Sequence, residues 1–122
     1  MKKQLRGSTN EHRTKDFLIA RGWVAVRAGA SKGMLDSDIV AYNVTSGHIK
    51  HIQSKSNHHY TRADIEALEL VRQIIVASNV SVELWDWSNS NRYPLITIIN
   101  ADGNHEKYST DPLISPYTGG LK

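Results

Sequence analysis

From Val80 to Trp87 the chain reads Val-Ser-Val-Glu-Leu-Trp-Asp-Trp. This two-residue alternation predicts a strand with the valines and Leu84 on one face and Trp85 and Trp87 on the other. The tryptophans are expected to cover a core rather than form a dimer surface, because a small sheet exposes aromatics only at some cost. Thr61 to Ser78 follows the other period. Ile65, Leu68, Val71, Arg72 and Ile75 recur at helical spacing, and Leu70 and Ile74 widen the stripe. Thr61 is placed as N-cap with Asp64 at the third helical position.

Upstream, Ser8-Thr-Asn-Glu11 matches a capping box, which predicts a helix from about Thr9 to Arg21. It should bury Thr14, Phe17, Leu18 and the stem of Arg21, and stop at Gly22. Trp23–Ala28, Asp36–Asn43 and His48–Ser54 alternate as strands, the last two joined by a Ser46-Gly47 turn. Pro94–Asn100, an Asp102-Gly103 turn and His105–Ser109 form a hairpin, and Asp111–Lys122 is an irregular tail with two prolines and a Gly-Gly. The order α-β-β-β-α-β-β-β predicts an α/β fold, a mixed β-sheet flanked by helices.

A length of 122 residues suits one domain, residues 1–122, with a basic arm at residues 1–7. Apolar residues at 39% and charged residues at 22% describe a folded chain rather than a disordered one. No apolar run approaches the length of a membrane span and no signal-peptide pattern stands at the start, so a cytoplasmic protein is expected. The absence of cysteine excludes disulfides and thiolate metal sites. A net charge of +3 permits a polyanionic partner without requiring one.

The chemistry concentrates between Asp36 and Lys55. Gln53 and Lys55, two apart on a strand, point the same way. An Asp on the neighbouring strand can meet an oxygen ligand and an ammonium there, a compact site for a hard divalent cation and a phosphate. The alternative is two ordinary strands with polar residues on a solvated face. Gly29-Ala-Ser-Lys-Gly33 is a small-residue loop without the spacing of a phosphate-binding glycine motif. His58 and His59 are adjacent, so they diverge on any regular element and read as loop residues with phosphate contacts rather than as metal ligands.

Four features together resemble the archaeal-type Holliday-junction resolvases of the PD-(D/E)xK nuclease superfamily. They are Arg6-Gly7-Ser8 with Glu11; Gly22-Trp-Val-Ala-Val-Arg-Ala; the Gly-Ala-Ser-Lys-Gly loop; and Ser-Asp-Ile-Val-Ala followed by Ile-Gln-Ser-Lys. The match covers about residues 6 to 77 and is only architectural from Val80 onward. The resemblance implies a restriction-endonuclease-like sheet and a metal-dependent endonuclease that resolves four-way junctions in double-stranded DNA, acting as a homodimer. It carries the catalytic positions over to Glu11, Asp38, Gln53, Lys55 and Ser31. It implies Mg2+, with Mn2+ as a substitute, held by Glu11, Asp38, Gln53 and the Ser54 carbonyl. Basic residues expected on DNA are Lys2, Lys3, Arg6, Arg13, Arg27 and Lys32, with His58 and His59.

Two positions depart from the family pattern. Ser37 replaces a proline that is not a ligand. Gln53 replaces an acidic residue, and its carbonyl oxygen can ligate a hard cation but brings no charge. Asp36 is an alternative ligand. Two other readings stay open: a repair or restriction-like nuclease on the same fold, and a DNA-binding module without catalysis.

Overall fold

The computed structural model describes residues 2–28, 38–57, 59–88 and 93–111, with residues 2–9 described as backbone only. Its elements are α1 (Lys2–Ile19), β1 (Val24–Arg27), β2 (Ile39–Tyr42), β3 (Ile49–Ser56), α2 (Arg62–Ile74), β4 (Val80–Trp87), β5 (Leu95–Ile99) and β6 (His105–Ser109). The six strands form one sheet in the order β1-β2-β3-β4-β5-β6. Every neighbouring pair is antiparallel except β3 and β4, which run parallel with α2 as their connection.

Each helix covers one face. Leu18 of α1 belongs to a buried cluster with Trp23, Ile39, Ile52, Trp85 and Trp87. Leu68 and Val71 of α2 belong to a second cluster with Val82, Leu84 and Ile99. The alternation of β4 produces this division, since its odd and even positions feed different faces. Trp85 and Trp87 are buried, with Phe17 edge-on to both rings at 5.3 and 6.0 Å. The predicted preference for core coverage holds.

Helix α1 differs from the sequence expectation at its start. The helix runs back to Lys2, so residues 2–7 belong to its first turns and Ser8 lies inside the helix rather than at its start. Lys, Gln, Leu and Arg are good helix formers, and turns added to a helix already nucleated by packing cost little. Glu11 is consequently an interior helical residue, without a capping role. The end of α1 is as expected. Gly22, at φ +86°, closes a Schellman motif: its N–H donates to the Ile19 carbonyl, and the Trp23 N–H donates to that of Leu18.

Helix α2 has the expected capping box of Thr61 and Asp64. It ends at Ile74 rather than Ser78, and Leu70 and Ile74 are exposed, so the buried stripe is narrower than the sequence suggests. The α1 face also encloses an ion pair, Lys50 Nζ to Glu83 Oε2 at 2.5 Å, with both side chains almost wholly buried. Ser81 and the Trp85 indole N–H donate to the same Glu83 carboxylate at 2.6 and 2.8 Å. No helix among the described residues is long and apolar enough to cross a membrane.

Candidate active site

Asp38 immediately precedes β2, and Gln53 and Lys55 lie in the second half of β3. Ile39 and Ile52 are paired across the two strands. Asp38 stands one residue before that pair, outside the paired register, and lies against the Ile52–Ser54 stretch of β3 through its backbone and its carboxylate. Ile39, Ala41 and Ile52 pack under α1. By alternation Gln53 and Lys55 point to the other face. Lys55 meets α2 there, its Nζ 3.4 Å from Asp64 Oδ1.

The Asp38 carboxylate is fixed by the backbone around it. Its Oδ2 accepts from the Ser54 N–H at 2.9 Å. Its own N–H donates to the Ile52 carbonyl at 2.9 Å, and its carbonyl accepts from the Ala28 N–H at 2.8 Å. The side chain of Gln53 is half-buried and makes no hydrogen bond among the described residues.

Ser54 turns the opposite way, and its hydroxyl lies 2.8 Å from the buried Thr14 hydroxyl. Thr14 Oγ1 donates to the Asn10 carbonyl at 2.9 Å and accepts from the Trp87 indole N–H at 2.8 Å. With that proton committed to Asn10, Ser54 is the donor to Thr14, and the Thr14 hydroxyl is fully used. One threonine thus ties α1, β3 and β4 together directly behind the site. Its burial was legible in the helical spacing; its three polar partners were not.

Glu11 lies on the α1 side, where Oε1 accepts from Arg27 Nε at 3.0 Å and Nη2 at 2.8 Å. Arg27 pairs with Ile39 in register, so this ion pair sits at the strand end that carries Asp38. No hydrogen bond joins Glu11 to Asp38, Gln53 or Lys55 among the described residues. The Arg13 guanidinium lies 4.3 Å over the Trp87 ring, and burial lowers its pKa. His59 is exposed. Lys2, Lys3 and Arg6 fall on the first turns of α1, described as backbone only, and Ser31, Lys32, Asp36 and His58 lie outside the described residues.

Asp64 is a site neighbour that the sequence suggested only as a helix cap. Partial desolvation pushes its pKa up, but the Thr61 N–H and the Lys55 ammonium outweigh that and hold it below the usual carboxylate value. Among the described residues no group of three or more His, Cys, Asp or Glu could hold a metal ion. The donor set near Asp38 is nonetheless all oxygen: one carboxylate, the Gln53 amide and the Ser54 backbone carbonyl. It fits a hard divalent cation, with less charge than a paired-carboxylate site offers.

No family model matches the chain, and no curated protein matches it significantly. Among solved structures it is similar to Archaeoglobus fulgidus Hjc, a Holliday junction resolvase from an archaeal hyperthermophile. The TM-score is 0.59 at 18% identity, over 88% of this chain and 93% of that one. The α/β architecture deduced from the element order is therefore also that of a known protein: the chain has a resolvase-like fold.

Proposed function

We propose that the chain is a metal-dependent endonuclease that cuts branched double-stranded DNA, with the four-way junction as its substrate. The observation that carries this reading is the Asp38 carboxylate held by the Ser54 N–H, between Gln53 and Lys55 on β3, on a resolvase-like fold. Asp38, Gln53 and the Ser54 carbonyl are the residues to hold Mg2+ or Mn2+. A divalent ion there supplies Lewis acidity at the scissile phosphate. The Ser54 N–H fixes the second oxygen of Asp38 and so holds its carboxylate in place. Lys55 donates to the attacking water or to a phosphate oxygen, neutralising charge as it develops. Glu11, released from Arg27 or acting through water, adds a second negative charge from α1. Ser31 donates to a phosphate oxygen. Arg27, Arg13, Lys32, His58, His59 and the basic start of α1 contact backbone phosphates, the source of most sequence-independent affinity. A twofold homodimer matches the near-twofold symmetry of a junction.

The test is nicking of a synthetic four-way junction against a linear duplex of the same sequence, with and without Mg2+. Metal-dependent cutting of the junction alone is expected. Asp38→Asn keeps an acceptor for the Ser54 N–H while removing the charge, so it should lower the rate at least about a hundredfold, or 2.7 kcal/mol, with binding retained. Equal cutting of the duplex would point to a repair or restriction-like nuclease. The neutral Gln53 favours a second reading, a junction-binding module without cleavage, which predicts tight binding and no nicking in either metal.

A further inference from the structure

Asn10, Arg13, Thr14 and Phe17 recur at helical spacing and form one face of α1. Arg13 and Phe17 meet the Trp87 ring, the first 4.3 Å over it and the second edge-on at 6.0 Å. Between them the Thr14 hydroxyl donates to the Asn10 carbonyl and accepts from the Trp87 indole and from Ser54. Its one proton and both lone pairs are in use. Thr14 is 0% exposed, so water offers its partners no alternative, and a saturated buried network of this kind has one arrangement.

Ser54 carries this constraint through the sheet. Its hydroxyl points to α1, while its backbone N–H donates to Asp38 Oδ2 at 2.9 Å. Its carbonyl is one of the oxygens assigned to the metal. A serine has a single rotatable bond between hydroxyl and backbone, so a displaced hydroxyl turns the backbone that bears the other two groups. Glu11, next to Asn10 on the same helix, reaches the strand end through Arg27. The seating of α1 therefore governs the Asp38 side and the Glu11 side of the site together.

We infer that Thr14 is a positioning residue for the metal site. Acting through Ser54, it holds the Asp38 carboxylate and the Ser54 carbonyl at the separation that a divalent ion requires. The inference rests on the metal-dependent reading above and deepens it, because it makes affinity for the ion depend on a hydroxyl that touches neither ion nor DNA.

The experiment titrates the full chain with Mn2+ in the absence of DNA, reading the free ion by electron paramagnetic resonance. Thr14→Val keeps the shape and removes the hydroxyl. Mn2+ affinity should fall about tenfold, or 1.4 kcal/mol, a usual loss when a group behind a metal ligand is removed. Thr14→Ser returns the hydroxyl and should recover the wild-type value. Thr14→Val also strands the Trp87 N–H and can impair folding, so Ser54→Ala breaks the tie from the β3 side. It keeps the N–H and carbonyl of position 54 and should lose about as much affinity. Ile99→Ala opens the other core cluster and should lower the urea midpoint while Mn2+ affinity stays unchanged. Wild-type affinity in Thr14→Val and Ser54→Ala, failure of Thr14→Ser to recover it, or an equal loss in Ile99→Ala overturns the proposal. The two readings fail separately. A chain with the expected affinities that never nicks a junction keeps the positioning role and loses the nuclease. One that nicks while its variants bind Mn2+ normally does the reverse, and one that binds no Mn2+ loses both.

Discussion

Lys55 Nζ stands 3.4 Å from Asp64 Oδ1, while Asp64 Oδ2 accepts from the Thr61 N–H at 2.8 Å, so one carboxylate holds both the site lysine and the cap of α2. Asp64→Asn should cost about 1 kcal/mol, mostly as lost capping, because the ion pair is partly exposed. The folded-state pKa of Asp64 is depressed. Its contribution is therefore present above the unfolded value and disappears as pH falls through the lower, folded one. Urea midpoints of the two proteins should differ at pH 7 and converge well below pH 4. A gap that stays constant across this range would mean that the charge on Asp64 contributes nothing.

Gln53 is the second test point. If its carbonyl ligates the metal, Gln53→Glu adds charge with little change in volume, and half-maximal activity should need less Mg2+. Turnover need not rise, since a tighter ground state does not itself lower the barrier. A titration shifted to higher Mg2+ would instead mean that the amide contacts phosphate and that another group completes the metal shell.

Glu11 separates chemistry from structure cleanly. Its bond to Arg27 is an ion pair at the protein surface, worth at most about 1 kcal/mol. Glu11→Gln should thus leave thermal unfolding nearly unchanged. A role at the metal requires a rate loss on the order of a hundredfold in the same variant. Unchanged turnover at saturating Mg2+ would confine Glu11 to holding Arg27.

The buried Lys50–Glu83 pair makes a prediction about stability alone. Glu83→Gln keeps one acceptor oxygen for the Trp85 N–H and turns its amide N–H toward the Ser81 hydroxyl, which can accept, but strands a buried ammonium, which should cost about 3–5 kcal/mol. Adding Lys50→Met to that variant should recover most of the loss in a denaturant titration. No recovery would show that the hydrogen bonds, not the charge, hold the network.

Much of this architecture was legible because apolar period and backbone chemistry are local. The eight-residue alternation of β4, the Asp102-Gly103 hairpin, the Thr61 box and the Gly22 stop all lie within a few residues of their cause. The polar partners were not legible, because they depend on which strand lies alongside. Lys50 looked like an ordinary strand residue until parallel pairing set β4 beside β3 and Glu83 within reach. Asp86 gained its place beside Lys55 by the same pairing, and Asp64 by the packing of α2 on that face. The antiparallel pairing of β2 with β3 was expected from the short turn between them. The start of α1 was misplaced because a good capping sequence at Ser8 competes poorly with a helix already running through it.

The single parallel joint in the sheet has an evolutionary consequence. Asp38, Gln53 and Lys55 all belong to the β1–β2–β3 meander, and α2 is the chain connection to the β4–β5–β6 meander. The two meanders also meet through eight β3–β4 pairs and through the Thr14 hydroxyl, which accepts from Ser54 and Trp87, so changes in β4 reach the back of the candidate site. Substitutions in β5 and β6 that leave β4 unchanged are therefore the ones this joint lets accumulate with least effect on Asp38, Gln53 and Lys55.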